Sequence, residues 1–112
     1  PSWCCMTDSH QGQQLPAVVD TFPVDESPYG VRGMAANTSE WCANAYRAAG
    51  PELDGDRLGP VGDCADEPDV QFWVVRGGAW YDQAQYARAA TRRHQPPGTR
   101  RSDIGFRVAR SF

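Results

Sequence analysis

The sequence predicts a small, loop-rich globular domain with a few short strands, and three observations predict it. Eleven Gly and nine Pro among 112 residues favour turns and irregular loops over long helices. Four Trp, four Tyr and four Phe supply the large apolar surface that a core needs. The apolar or alternating segments are brief and far apart. A chain of this length is one small domain or part of a larger one, and it buries only a modest fraction of its surface. No apolar run reaches the roughly 18 residues of a spanning helix, and no signal peptide is visible. No membrane partner is expected.

Taken in order, residues 1–14 read as loop, polar apart from Trp3 and Met6. Within Leu15–Phe22, Ala17-Val18-Val19 is a short strand candidate closed by Pro23. Ser27-Pro28-Tyr29-Gly30 is a turn signal, with Pro and Gly where φ must be fixed or permissive. Asn37-Thr38-Ser39-Glu40 reads as a local turn leading into Trp41-Cys42. Asn37-Thr38-Ser39 also fits the glycosylation pattern, but that tripeptide is common by chance and a turn role is favoured. Residues 47–69 are rich in Gly, Pro and Asp without periodicity, which predicts a long surface loop. Val70–Val75 is the strongest strand, β-branched and aromatic, and is terminated by Gly77-Gly78. Ile104, Phe106 and Val108 alternate with Gly105, Arg107 and Ala109, the period of a half-buried strand.

The net charge of −3 hides a division. Residues 1–75 carry 12 acids and 3 Arg, a net −9, whereas residues 76–112 carry 8 Arg and 2 Asp, a net +6. Such asymmetry fits either an anion-binding tail or two halves that fold together and neutralise each other. All eleven basic residues are Arg, the better residue for bidentate pairs with carboxylates. That favours self-neutralisation and argues against a nucleic-acid partner. Cys4, Cys5, Cys42 and Cys64 include no C-x-x-C pair, and His10 and His94 are far from them in sequence, so zinc is not expected. These cysteines read as free, buried apolar residues of a reducing, cytoplasmic compartment. Pro1 is not an initiating Met, so the chain is expected to be a fragment or the product of a cut.

Three blocks carry a resemblance. The first is Thr21-Phe22-Pro23 followed by Ser27 through Met34, with its Tyr29-Gly30. The second is Asn37-Thr38-Ser39-Glu40-Trp41. The third pairs Arg76-Gly77-Gly78-Ala79-Trp80 with Ile104-Gly105-Phe106-Arg107. In order and spacing they resemble the closing half of a formylglycine-generating enzyme, the sulfatase-modifying-factor type of C-type-lectin-like domain. The resemblance implies an irregular α+β fold with few regular strands and many structured loops. The family domain is longer, so residues 1–112 are expected to supply its second half. The implied partner is the N-terminal half, as a separate chain or segment. The resemblance also arbitrates residues 82–94. Their composition suits a helix capped by Asp82. The family pattern instead implies a short helical turn near Tyr81–Gln85 and a strand over Ala87–Arg93, paired with Ile104–Val108 and burying Ala89 and Thr91.

Active members of that family hold copper with two cysteines between the last two motifs. Here Gln85 and Ala90 stand at about those places. Cu(I) needs soft thiolates, so copper and formylglycine generation are not expected. Some members bind calcium before the Glu-Trp block. The matching oxygens are the carbonyls of Ala36 and Thr38 and the carboxylate of Glu40, with Gly33 where a side-chain ligand would be. Calcium prefers 6–8 oxygens, so the set is incomplete and calcium is the one cofactor left open; pairing of Glu40 with an Arg is the alternative. No catalytic residue is assigned, and His94 reads as a surface residue beside Pro96-Pro97.

Two functions follow. In the first, the domain is a non-catalytic recognition module. The variable proteins of diversity-generating retroelements are similar through this same interval and display side chains from it. The candidate ligand-binding residues are Tyr81, Gln85, Tyr86, Arg88, Arg92, Arg93, His94 and Arg100, with a protein ligand or a processing protease as partner. Tyr, Trp and Arg dominate interface hot spots. In the second, the domain is an oxidase or iron-dependent enzyme of the same superfamily, with its catalytic residues in the missing half.

Overall fold

The computed structural model describes residues 3–9, 15–51, 53–54, 57–58 and 70–110. Most of them are loop. The strands are β1 (Ser39–Ala45), β2 (Leu53–Asp54), β3 (Arg57–Leu58), β4 (Trp73–Arg76), β5 (Arg93–Gln95) and β6 (Ile104–Gly105). A single-turn 3-10 helix spans Ala84–Ala87. No α-helix occurs among the described residues.

One sheet has the order β5-β4-β1-β6. β1 runs antiparallel to β4, with Glu40 opposite Arg76 and Trp41 opposite Val75. The register then slips before Ala45 meets Trp73, so β1 carries extra residues and bulges. β6 joins the other side of β1 in parallel, through Ser39–Ile104 and Glu40–Gly105. β5 closes the far edge, antiparallel to β4 from Trp73–Gln95 to Val75–Arg93. β2 and β3 form a separate antiparallel pair inside the segment expected to be a plain loop.

Successive residues of a strand point to opposite faces. Trp73, Val74 and Val75 are all buried, so both faces of β4 are covered. This is why Val70–Val75 was legible as a strand, although its first residues stay outside the ladder. Cys4, Met6 and Ala36 pack together with Ala87 against them. The N-terminal segment is stitched to the rest by backbone bonds, Asn37 N–H to Cys5 O at 3.0 Å and Thr7 N–H to Asp82 O at 3.2 Å. Burial pushes the Cys4 thiol up to about 11. It stays protonated and packs as a small apolar group. Cys5 and Cys42 are also free thiols, and Cys64 lies outside the described residues.

Three strand expectations are corrected. Ala17–Val19 is loop, with Val18 and Val19 more than four-fifths exposed and Asp20 in the left-handed region. The turn is fixed instead by Asn37, whose side-chain amide brackets the backbone of Ala17 at 2.7 and 3.2 Å. The alternation from Ile104 yields two paired residues only; Phe106 and Val108 are 77% and 88% exposed. Ala87–Arg93 is not a strand, and β5 begins at Arg93 and pairs with β4, not with β6. Ala89 is accordingly exposed and Thr91 only half-buried. Two turns stand as expected. Gly30 donates to Ser27 O at 2.9 Å with a φ of 77°. Asn37 sits at φ 79°, a conformation Asn tolerates better than most residues.

Candidate functional site

Arg93, at the start of β5, is the hub of the best-defined polar cluster. Its guanidinium meets the Asp82 carboxylate at 2.8 Å. It also donates to the Ser39 hydroxyl and to Gly77 O at 3.2 Å, and its plane lies 5.2 Å from the Tyr86 ring centre. Ser39 is wholly buried and its hydroxyl donates to Gly77 O at 3.0 Å. Asp82 is not a helix cap. Its second role is to accept from the Ala79 N–H at 2.9 Å, which anchors the turn after β4.

A second cluster lies beside it. The Tyr81 hydroxyl donates to Asp103 at 2.7 Å, and Arg101 binds the same carboxylate at 2.8 Å while donating to the Tyr81 oxygen. Burial alone would raise the Asp103 pKa, but Arg101 and Tyr81 outweigh it and hold the carboxyl below its usual value. Burial, then the Asp103 hydrogen bond, raises that of Tyr81. The sign for stability follows. Asp103 stabilises the fold above the unfolded carboxylate pKa of about 4, and that contribution is lost as pH falls through its lowered folded value. Asp25 runs the other way, because burial raises its carboxyl, so its contribution is fully present at low pH and fades as pH rises through that raised value. The expected result is that Asp103→Asn costs about 1–3 kcal/mol at pH 7 and flattens the acid limb of urea-unfolding midpoints measured across pH.

Arg107, just past β6, forms a clamp. It binds both oxygens of Glu40 and donates to the carbonyls of Arg32 and Gly33, each at 3.0 Å. This pair joins the acidic and basic parts of the chain. Arg93–Asp82 and Arg101–Asp103 instead pair within the basic part, and Arg32 pairs with Asp20 and Glu26 within the acidic part. Among the described residues, ion pairs therefore form both between the two parts and within each. The clamp stands between two cavities. One, of about 320 Å³, is lined by Val18, Val19, Phe22 and Phe106. The other, of about 640 Å³, is lined by Trp3, Met34, Trp41, Arg76 and Arg88 among others. Asp25, Glu40 and Arg107 contribute to both.

The candidate binding residues divide among these features. Tyr81, Tyr86 and Arg93 belong to the polar clusters. Arg92 and His94 stand with two residues that sequence reasoning missed, Tyr46 and Phe72. The His94 ring lies 4.2 Å from that of Tyr46 and 4.9 Å from that of Phe72, and Arg92 lies 5.6 Å from the Tyr46 ring centre. Arg88 lines the larger cavity. Gln85 and Arg100 are exposed. Gln85 contributes only its carbonyl, accepting from Thr91 at 3.3 Å. The only earlier signal for Tyr46 and Phe72 was their residue type.

Neither the places of the copper cysteines nor the calcium candidates offer a ready set of ligands among the described residues. Gln85 and Ala90, at the places of the copper cysteines, are both exposed. A calcium ion on Ala36, Thr38 and Glu40 would have to displace Arg107, because that guanidinium already occupies both carboxylate oxygens. The residues as arranged do not fit it. Among the described residues no group of three His, Cys, Asp or Glu is placed to hold a metal ion, and no helix is long and apolar enough to cross a membrane.

The model of the sulfatase-modifying factor enzyme 1-like domain matches residues 3–112. The chain belongs to this family. As a sulfatase-modifying-factor domain it is similar to serine/threonine-protein kinase pkn1 of Chlamydia caviae, 34% identical over 95 residues, covering 81% of this chain and 15% of that protein. It is also similar to the inactive C-alpha-formylglycine-generating enzyme 2 of Bos taurus, 29% identical over 96 residues, covering 81% and 25%. Its fold resembles the solved Treponema denticola variable protein 1, with a TM-score of 0.63 and 29% identity, covering 94% of this chain and 34% of that one. The loop-rich architecture around a small sheet is consistent with the C-type-lectin-like expectation. This sulfatase-modifying-factor chain spans only 15–25% of the length of these two curated relatives.

Proposed function

We propose that this chain is the second half of a sulfatase-modifying-factor domain that has kept its scaffold for recognition rather than catalysis. One observation carries the reading. Where the active enzymes place two thiols, this chain has Gln85 and Ala90, and both face solvent. Cu(I) chemistry has no soft ligands there. The same interval offers aromatic and Arg side chains, with Arg92 and His94 gathered on Tyr46 and Phe72, a composition typical of protein-binding hot spots. The likeness to relatives named an inactive formylglycine-generating enzyme and a variable protein supports the same reading.

The second-half assignment is supported by the exposed apolar side chains Val18, Val19, Phe106 and Val108, which a missing segment would cover. Expressed alone, residues 1–112 are expected to fold poorly and to copurify with the upstream half; a monodisperse monomer with a cooperative melt would refute that part.

The functional test uses the whole protein, loaded with Cu(I) and offered a cysteine-containing sulfatase peptide. The recognition reading expects no stoichiometric copper and no aldehyde product by mass spectrometry. Copper-dependent turnover of the peptide would establish an enzyme instead.

A further inference from the structure

We infer that the 640 Å³ cavity is a binding groove for an acidic peptide segment that carries an apolar side chain. The inference rests on the recognition reading and names its ligand class. The volume lies within the range of pockets that enclose small ligands or a few peptide residues, about 300–1,000 Å³. Its lining combines Trp3, Trp41, Met34 and Val24 with Arg76 and Arg88.

Those two Arg residues set the ligand's charge. Arg32, Arg93, Arg101 and Arg107 are all paired with carboxylates. Arg76 uses its guanidinium on the carbonyl of Ala89, and among the described residues the Arg88 guanidinium has neither a hydrogen bond nor an ion pair, its carbonyl alone accepting from Thr91. In a chain with net charge −3, two guanidinium groups without carboxylates on the wall of one groove stand out. A guanidinium recognises a carboxylate through paired hydrogen bonds. The exposed Met34 and Val24 and the partly exposed Trp3 supply the apolar contact area, and aromatic and Met side chains adapt well to an apolar residue.

The carboxylates that share this lining exclude a polyanion. Asp25, Glu26 and Glu40 line the same groove, so a nucleic-acid backbone would meet three carboxylates. A peptide with one or two acidic residues needs only Arg76 and Arg88, and its backbone N–H groups can donate to the carboxylates of the lining.

The test is fluorescence polarisation of labelled peptides on the whole protein. The probes are a short peptide with Phe flanked by Glu and the same peptide with Lys for Glu. The acidic probe is expected to bind in preference to the basic one and to weaken as salt rises. Arg88→Glu should weaken it by about tenfold or more, while Gln71→Glu, outside the groove, should not change it. If Arg88→Glu does not fold, the probe preference and the salt dependence still decide. Equal binding of the two probes, an unchanged Kd in folded Arg88→Glu, or no binding because another part of the protein covers the groove would each overturn the inference. Loss of acidic-peptide binding without copper turnover removes this inference alone, whereas copper-dependent turnover removes the recognition reading itself.

Discussion

Replacing Arg93 with alanine is expected to destabilise the complete domain by about 2–4 kcal/mol, shifted below the roughly 3–5 kcal/mol for breaking a fully buried ion pair because Arg93 is partly exposed. The substitution strands the Asp82 carboxylate, which is only 6% exposed, and leaves it a single partner, the Ala79 N–H. It also removes a donor to the buried Ser39 hydroxyl and to Gly77 O and the cation over Tyr86. The measurement is urea unfolding of the whole protein at pH 7, followed by tryptophan fluorescence. Arg93→Lys keeps the charge but not the fork of donors, so it should recover only part of the loss. The double change Arg93→Ala with Asp82→Ala tests the cause. If the stranded charge dominates, the double variant is more stable than the sum of the two single losses predicts. A loss below about 0.5 kcal/mol, the range of ordinary surface changes, would mean that Arg93 is not the hub described.

Gly77→Ala is expected to cost about 2–3 kcal/mol, combining the left-handed backbone penalty with a steric one. Gly77 has a φ of +79°, and an added Cβ would stand 3.0 Å from the Met34 carbonyl oxygen. The obstacle is backbone, so relief requires the β4 turn to move away from residues 34–38. That movement would also disturb Gly77 O, which accepts from both Ser39 and Arg93. Thermal unfolding of the whole protein checks it. An unchanged midpoint would show that this turn adapts.

Both effects meet at Gly77, in the Arg-Gly-Gly-Ala-Trp block that was among the most recognisable features of the sequence. Its glycines are legible because a sharp turn after an apolar strand has few alternatives. What was not legible is how residues 103–107 are held. Asp103 and Arg107 are anchored through separate partners, Tyr81 and Arg101 for one, Glu40 and the carbonyls of residues 32–33 for the other. Those contacts span up to 75 residues, and local composition carries no trace of them.

The strand errors have a common physical source. Val18, Val19, Phe106 and Val108 form apolar patterns that local reading assigns to buried strands, yet they are exposed. The turn expected over Asn37-Thr38-Ser39-Glu40 gives way to β1 already at Ser39, which becomes a strand by lying between β4 and β6. Pairing on both sides overrides weak intrinsic preference.

The sequence by itself determined the family and the absence of thiols between Trp80 and Asp103, because motif identity and ligand chemistry are properties of residue type. Tertiary structure alone decided how the Tyr81–Arg100 interval is used. Tyr81 holds Asp103, Arg93 holds Asp82 and Ser39 and lies over the Tyr86 ring, Arg92 and His94 join Tyr46 and Phe72, and Arg88 lines the larger groove. The reason is geometric. Within β5 the neighbours Arg93 and His94 face opposite sides of the sheet, and the single turn at Ala84–Ala87 redirects the chain before it, so one run of sequence divides among surfaces that only the packed sheet defines.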